Sequence, residues 1–236
     1  MPIERFYSPL SFSPGTICTL EEEELRHLQV IRLRTGEKVE LVNGKGALAQ
    51  ATLTTVEKRR ALLTVNSVTH SSPGPIRILA QAIPRFNRLE FILEKGTELG
   101  ATAFWLFPGE RSEKSSFSEN QKQRMTQLMI AAMKQCGRLD LPSIELHPSL
   151  LSWTPLPYPL LYGDTRQNAP TLKISPGPLI LLIGPEGGLS PAELVHLDGP
   201  LAAQGLRLHS NILRTDTAAI TLLAQTALQT VVSGFG

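Results

Sequence analysis

The stretch LLIGPEGGLSPAEL, Leu181 to Leu194, passes from an apolar, strand-like run through three glycines into the start of a helix. A loop beyond the carboxyl end of a central strand is where open α/β sheets bind ligands. Two phosphate-binding loops are excluded by the residues themselves. The pattern GxxxxGK[ST] is absent, no lysine is at hand, and the glycines do not follow GxGxxG. A carboxylate at Glu186 makes a pyrophosphate neighbour costly unless a cation offsets it. The loop therefore favours a ligand with a positive centre or with hydroxyl and amine donors. Ser190-Pro191-Ala192-Glu193 reads as a capping box with proline in the first helical turn, which gives Ser190 and Glu193 a structural role. Gly184, Gly187 and Gly188 fit a ligand loop and equally a plain tight turn.

Working outward, a second strand-to-helix passage follows in GLRLHSNILRTDTAAI, 205 to 220. It runs through His209-Ser210-Asn211 to Ile212-Leu213-Arg214-Thr215 and a long C-terminal helix, TAAITLLAQTALQTVV. An apolar pair beside an arginine and a threonine either frames a slot for an adenine ring or simply packs. Upstream, IRILAQAI is a nearly continuous apolar strand, RLEFILEKGTELGA a helix with Leu89, Ile92, Leu93 and Leu99 on one side, and ATAFWLFP another buried strand. Strand, helix, strand in this order predicts a mostly parallel sheet covered on both faces. Ser118 with Gln121 predicts a cap for the next helix, whose Met125, Leu128, Met129, Ala132 and Met133 read as core. PLLYGD, PLILLIG and the short GLRL supply further strands.

Before residue 69 the pattern differs. VEL at 39 to 41 ends in Asn43-Gly44, a hairpin cue, and AQATLTTV and ALLTVNSV read as two more strands. EEEELRHLQVI is the one helical candidate, with its acidic residues at the favourable N-terminal end. This part reads as a small barrel-like β domain, and the polar connector THSSPGP, 69 to 75, marks the boundary: residues 1–72 and 73–236.

The bulk properties agree with a two-part globular chain. Its 236 residues can bury a core, with 42% hydrophobic and 19% charged residues. A formal net charge of +2 means that any basic surface is local. Cys18 and Cys136 match no metal or redox spacing, and the histidines at 27, 70, 147, 196 and 209 lack ligand spacing, so no metal is expected. The start MPIERFYSPL is too polar for a signal peptide and no long apolar run follows, which predicts a cytoplasmic protein without a membrane span.

With these segments in view, the chain resembles the RsmE-type RNA methyltransferases of the SPOUT superfamily. The resemblance rests on RFY at 5–7, HLQVIRLRTGE at 27–37, EFILEKGTELGA at 90–101, GERS at 109–112, KQCGR at 134–138, LIGPEGGLSPAE at 182–193 and ILRTDTA at 212–218. It implies an α/β fold with a SPOUT-type, trefoil-knotted, mostly parallel sheet and a smaller N-terminal PUA-like β-barrel that binds RNA. The knot rests on the resemblance alone, since connections are normally unknotted. It further implies a homodimer that uses S-adenosyl-L-methionine to methylate N3 of a uridine in 16S ribosomal RNA of the small subunit. Another knotted RNA methyltransferase, or a non-catalytic rRNA-binding assembly factor, are the alternatives.

Carried over residue by residue, Leu182, Gly184, Glu186, Gly187 and Gly188 fall in the family's first cofactor loop, and Leu208, Ile212, Leu213 and Thr215 in the second. The positive sulfonium gives Glu186 an electrostatic reason to be there. Arg214 is the expected catalytic residue, stabilising the uracil anion formed when the N3 proton leaves. Arg111 and Arg138 are expected at the substrate, and Arg5, Arg32 and Arg34 at RNA phosphates, with Lys38, Lys122 and Arg124 as further phosphate contacts. The chain departs from LGxRILRTETA at His209, Asn211 and Asp216, where the family pattern has glycine, arginine and glutamate. Asparagine lacks the five-donor fork of arginine, and histidine adds bulk, so these changes bear on the pocket rather than the fold.

Overall fold

The computed structural model describes residues 3–111, 116–171 and 177–233. They form two compact units: Met1–Pro73 with Ile130–Leu141, and Gly74–Met129 with Pro142–Gly236. The expected core methionines of one helix thus divide between them, with Met125 and Met129 in the second unit, Met133 in the first, and all three buried.

In the first unit, strands β1 (Arg5–Tyr7), β2 (Ile17–Leu20), β3 (Lys38–Val42), β4 (Ala47–Val56) and β5 (Ala61–His70) form one sheet in the order β1-β3-β4-β5-β2. Only β1 and β3 run parallel; the other pairs are antiparallel. Alternation sends Ala47, Ala49, Ala51 and Leu53 of β4 inward, as the period of two requires. Leu25 and Leu28 of helix α1 (Glu22–Ile31) join that core with Phe6, Leu41 and Leu63. The Asn43-Gly44 cue does reverse the chain, but through four residues rather than two. Asn43 Oδ1 accepts from Lys45 N at 2.8 Å and Ala47 N at 3.1 Å, and Gly44 and Gly46 take positive φ. The side chain here replaces the tight-turn hydrogen bond. β5 runs through His70, so the first two residues of the connector are strand.

The second unit holds β6 (Arg77–Ala82), β7 (Ala103–Phe107), β8 (Ser143–Leu146), β9 (Leu160–Gly163), β10 (Leu179–Ile183) and β11 (Gln204–Leu206), all parallel, in the order β11-β9-β10-β6-β7-β8. Every residue of β6, β7 and β10 is buried, the mark of a sheet covered on both sides. β8 was not legible: it is a mostly exposed edge strand, SIEL, without an apolar pattern. Helices α2 (Phe86–Glu98), α3 (Glu119–Cys136), α4 (Pro191–Asp198) and α5 (Thr215–Ser233) complete the chain. Ser118 and Gln121 cap α3 reciprocally, as expected. α2 packs so closely on β7 that a Cβ at Gly96 would lie 2.7 Å from Phe104 Cε1.

Strand order explains where a site can form. β7 and β8 step outward from β6 on one side, β9 crosses to the other, and β10 inserts between β9 and β6. The carboxyl ends of β10, β9 and β11 therefore stand side by side. After edge strand β11 the chain returns to the middle of the sheet, where α5 lies against β10, β6 and α2. GLRL leaves the sheet at Leu206, earlier than its apolar pattern suggests, which frees Leu208 for the loop.

Candidate functional site

The loops after β9, β10 and β11 enclose a cavity of about 730 Å³ within the second unit. The first wall is the glycine loop. Gly188 has φ of 73° and donates to Pro185 O at 2.9 Å, so the turn needs a residue without a Cβ. Gly184 is required by space instead: a Cβ there would sit 2.9 Å from Leu189 Cγ. The expected capping box forms, Ser190 Oγ accepting from Glu193 N at 3.1 Å and Glu193 Oε2 from Ser190 N at 2.8 Å. Glu193 does more than cap. Fully buried, it also accepts from Glu110 N at 3.1 Å through Oε1, which ties the 109–111 segment to the loop. Arg111 then lies on the loop, donating to Gly187 O at 2.8 Å. Ser112 of the GERS motif lies outside the described residues.

The second wall is 207–214. Arg207 holds its backbone by donating to His209 O at 3.3 Å and Ser210 O at 3.2 Å, and ties it to the segment after β9 by donating to Gln167 O at 3.2 Å. His209 Nδ1 accepts from Asn211 N at 3.0 Å, so the bulk that replaces glycine braces its own turn. Gln225 Nε2 of α5 donates to Leu208 O at 3.2 Å. Ile212 is 83% exposed at the rim, while Leu208 and Leu213 are half-buried. Thr215, buried, donates to Gly184 O at 2.9 Å and so joins the two walls.

The charges are largely matched within the protein. Glu186 Oε1 accepts from Arg85 N at 3.2 Å and lies 3.6 Å from Arg88 Nε, and Arg88 Nη1 donates to Asp216 Oδ1 at 3.2 Å. One guanidinium at the start of α2 thus bridges the glycine loop and the first turn of α5 and supplies the cation that the carboxylate in the glycine loop lacked in sequence. At the third wall, Arg166 donates to Asp164 at 2.7 Å and Asp198 at 2.8 Å and also to Tyr162 Oη, which donates to Asp198. Burial first, then the Asp198 hydrogen bond, pushes the Tyr162 phenol up; Arg166 holds the Asp198 carboxyl below its usual range. Arg214, at the cap of α5, is exposed on the cavity, and among the described residues no hydrogen bond or ion pair engages its guanidinium.

Comparison with known proteins gives this pocket its context. The RNA methyltransferase domain family matches residues 72–227, and the RNA methyltransferase PUA domain family matches 20–66. The ribosomal RNA small subunit methyltransferase E of Synechocystis is 32% identical, over 88% of this chain and 71% of its own length. The chain belongs to the RsmE-type RNA methyltransferases. A methyltransferase of Legionella pneumophila solved with SAM bound superposes with a TM-score of 0.87 at 28% identity, covering 97% of this chain and 98% of its own. The ribosomal RNA small subunit methyltransferase E of Neisseria gonorrhoeae, bound to S-adenosyl methionine, gives 0.85 at 29%, covering the same shares. The enzyme accordingly has the family's two parts, a PUA-like N-terminal region and a mostly parallel SPOUT-type sheet.

In this methyltransferase the expected site residues fall in two groups. Leu182, on β10, leads into the first loop but is fully buried. Gly184, Glu186, Gly187, Gly188, Leu208, Ile212, Leu213, Arg214, Thr215 and Arg111 line the cavity. Arg5, Arg32, Arg34 and Arg138 belong to the first unit. There Arg5 is paired with Glu40 through Nε at 2.9 Å and Nη2 at 2.6 Å, whereas Arg32 and Arg34 are exposed. Burial pushes the half-buried Arg138 guanidinium down, with Asp140 opposing. Lys122 and Arg124 are held by Glu119 and Glu90. Sequence reading missed Gln81, Arg88 and the Asp164–Arg166 wall; the only signal was that PLLYGD ends on a strand whose neighbour bears the glycine loop. Among the described residues no cluster of His, Cys, Asp or Glu is placed to hold a metal, and no helix is long and apolar enough to cross a membrane.

Proposed function

We propose that the enzyme uses S-adenosyl-L-methionine to methylate N3 of a uridine in 16S ribosomal RNA of the small subunit. The observation that carries this reading is the pairing of two loops at adjacent strand ends, glycine-rich 184–188 and apolar-rimmed 208–213, around a cavity of the size that small-molecule sites have. The residues fit the cofactor: Leu208, Ile212 and Leu213 offer apolar contact for a nucleoside, the glycine loop offers backbone at close approach, and no phosphate cradle is present. Leu182 supports the loop from the strand beneath it. When bound, the cofactor supplies a methyl group on a positive sulfur.

The protein's part is to hold the uracil and make its N3 nucleophilic. N3 gives up its proton to solvent water as it takes the methyl, and a cation that stabilises the anion lowers that barrier. Among the described residues, Arg214 is the cavity arginine whose donors are uncommitted, and it is assigned that role; Arg111, spent in part on Gly187 O, is assigned to orienting the substrate loop. The target base must leave its stack to reach the cavity. Residues 1–72 form the RNA-binding domain and 73–236 the catalytic domain, with Arg5, Arg32 and Arg34 meeting RNA phosphates and Arg138 contacting the RNA or the substrate loop. The chain's return from β11 to the centre of the sheet supports the trefoil threading that the resemblance implies. The enzyme acts in the cytoplasm as a homodimer. Purified protein given methyl-labelled cofactor and small subunits from a strain lacking the modification should place one label at uridine N3. Label on a ribose or another base would redirect the reading to a different knotted RNA methyltransferase.

A further inference from the structure

Gln81 sits next to last in β6, a strand whose interior is otherwise apolar, and is completely enclosed. An amide there is destabilising in one respect. Its Oε1 has no hydrogen-bond partner among the described residues, and a buried unsatisfied acceptor costs stability. A methionine or leucine would fill the same space without that cost, so core packing does not explain the residue.

The amide nitrogen does. Gln81 Nε2 donates to Ala82 O at 2.8 Å and to Thr215 Oγ1 at 3.0 Å, with Ile183 O at 3.5 Å. The carbonyls can only accept, which fixes the orientation of the amide. Because Thr215 Oγ1 receives this N–H, its own proton is directed to Gly184 O at 2.9 Å. The outcome is a one-way chain from Gln81 through Thr215 to Gly184. Gly184 opens the first loop and Thr215 closes the second, so the chain spans the two walls of the cavity from beneath.

We infer that Gln81 is a positioning residue, which acts through the Thr215 hydroxyl to set the separation of the two loops that hold the cofactor. The inference rests on the assignment of those loops to S-adenosylmethionine. Gln81→Met keeps the length and shape of the side chain and donates nothing. In the ligand-free variant, amide hydrogen exchange across 184–189 and 208–214 should quicken about fivefold to tenfold, the equivalent of one hydrogen bond. Calorimetric affinity for S-adenosylmethionine should fall by a similar factor, while kcat at saturating cofactor stays within about twofold. Thr215→Val should reproduce the faster exchange and the weaker affinity, and in both the double variant should be no worse than either single one. Unchanged exchange in the Gln81 variant, or additive losses in the double one, overturns the proposal. If Gln81→Met does not fold, Gln81→Leu removes the same donor with a second apolar side chain and is read by the same exchange and affinity measurements. A wild-type protein that binds no S-adenosylmethionine would overturn the cofactor assignment and this proposal with it, a result distinct from unchanged exchange.

Discussion

Replacing Glu186 with glutamine separates two roles for the loop carboxylate. The family resemblance sets it against the positive sulfur of the cofactor; the structure sets it against Arg88 and the Arg85 backbone. The amide in Glu186→Gln still accepts from Arg85 N and loses only the charge. The Arg88 pair has side-chain exposures of 22% and 37% and a separation of 3.6 Å, so solvent screens it and its net worth is that of a partly exposed ion pair, at most about 1 kcal/mol. The loop should loosen by less than about fivefold, whatever ligand occupies it. A carboxylate acting directly on the sulfonium predicts something else. Two unit charges about 4 Å apart at an effective dielectric near 20 interact by about 4 kcal/mol, roughly a thousandfold in affinity. Titration calorimetry with S-adenosylmethionine and with its uncharged-sulfur product, S-adenosylhomocysteine, distinguishes them. Equal, small losses for both ligands are expected. A loss of tenfold or more confined to S-adenosylmethionine would refute the assignment of Glu186 to Arg88.

Three further outcomes are expected. Arg214→Ala should lower kcat about a hundredfold, as removal of an electrostatic stabiliser does, without shifting Tm; turnover near wild type would remove Arg214 from the chemistry. Gly187→Val should block cofactor binding by narrowing the loop, since even a Cβ would lie 3.1 Å from Arg111 Cβ and valine adds two methyls beyond it; unaltered calorimetric affinity would defeat the assignment. Arg166 first, and Tyr162 after it, depress the Asp198 carboxyl, which therefore contributes stability above its unfolded pKa of about 4 and loses it as pH falls through the folded value. Asp198→Asn should flatten the decline of Tm on the acid side, and an unchanged slope below about pH 4 would show that this carboxyl does not take part.

What sequence could and could not reveal follows from the range of the interactions. The capping boxes at Ser190 and Ser118 join residues three apart, and β6, β7 and β10 announce themselves by apolar runs, unbroken in β7 and β10 and nearly so in β6, so all were legible. Gln81 and Thr215 are separated by 134 positions, Arg88 and Asp216 by 128, and Glu110 and Glu193 by 83. Such ties exist only after β10 has inserted beside β6 and α5 has come back across the sheet. Pattern also fails where burial is partial: β8 is an exposed edge, and the four-residue turn at Asn43 is governed by a side chain that composition does not distinguish from a two-residue hairpin. The glycine loop marked the site at once, but the cation that makes its glutamate tolerable lay about a hundred residues away.

The central claim is most directly tested by mapping modified nucleotides of small-subunit ribosomal RNA by mass spectrometry, with the gene present and deleted. The account predicts that one N3-methyluridine disappears on deletion and returns with the wild-type gene but not with Arg214→Ala. Persistence of that nucleotide in the deletion strain would contradict it.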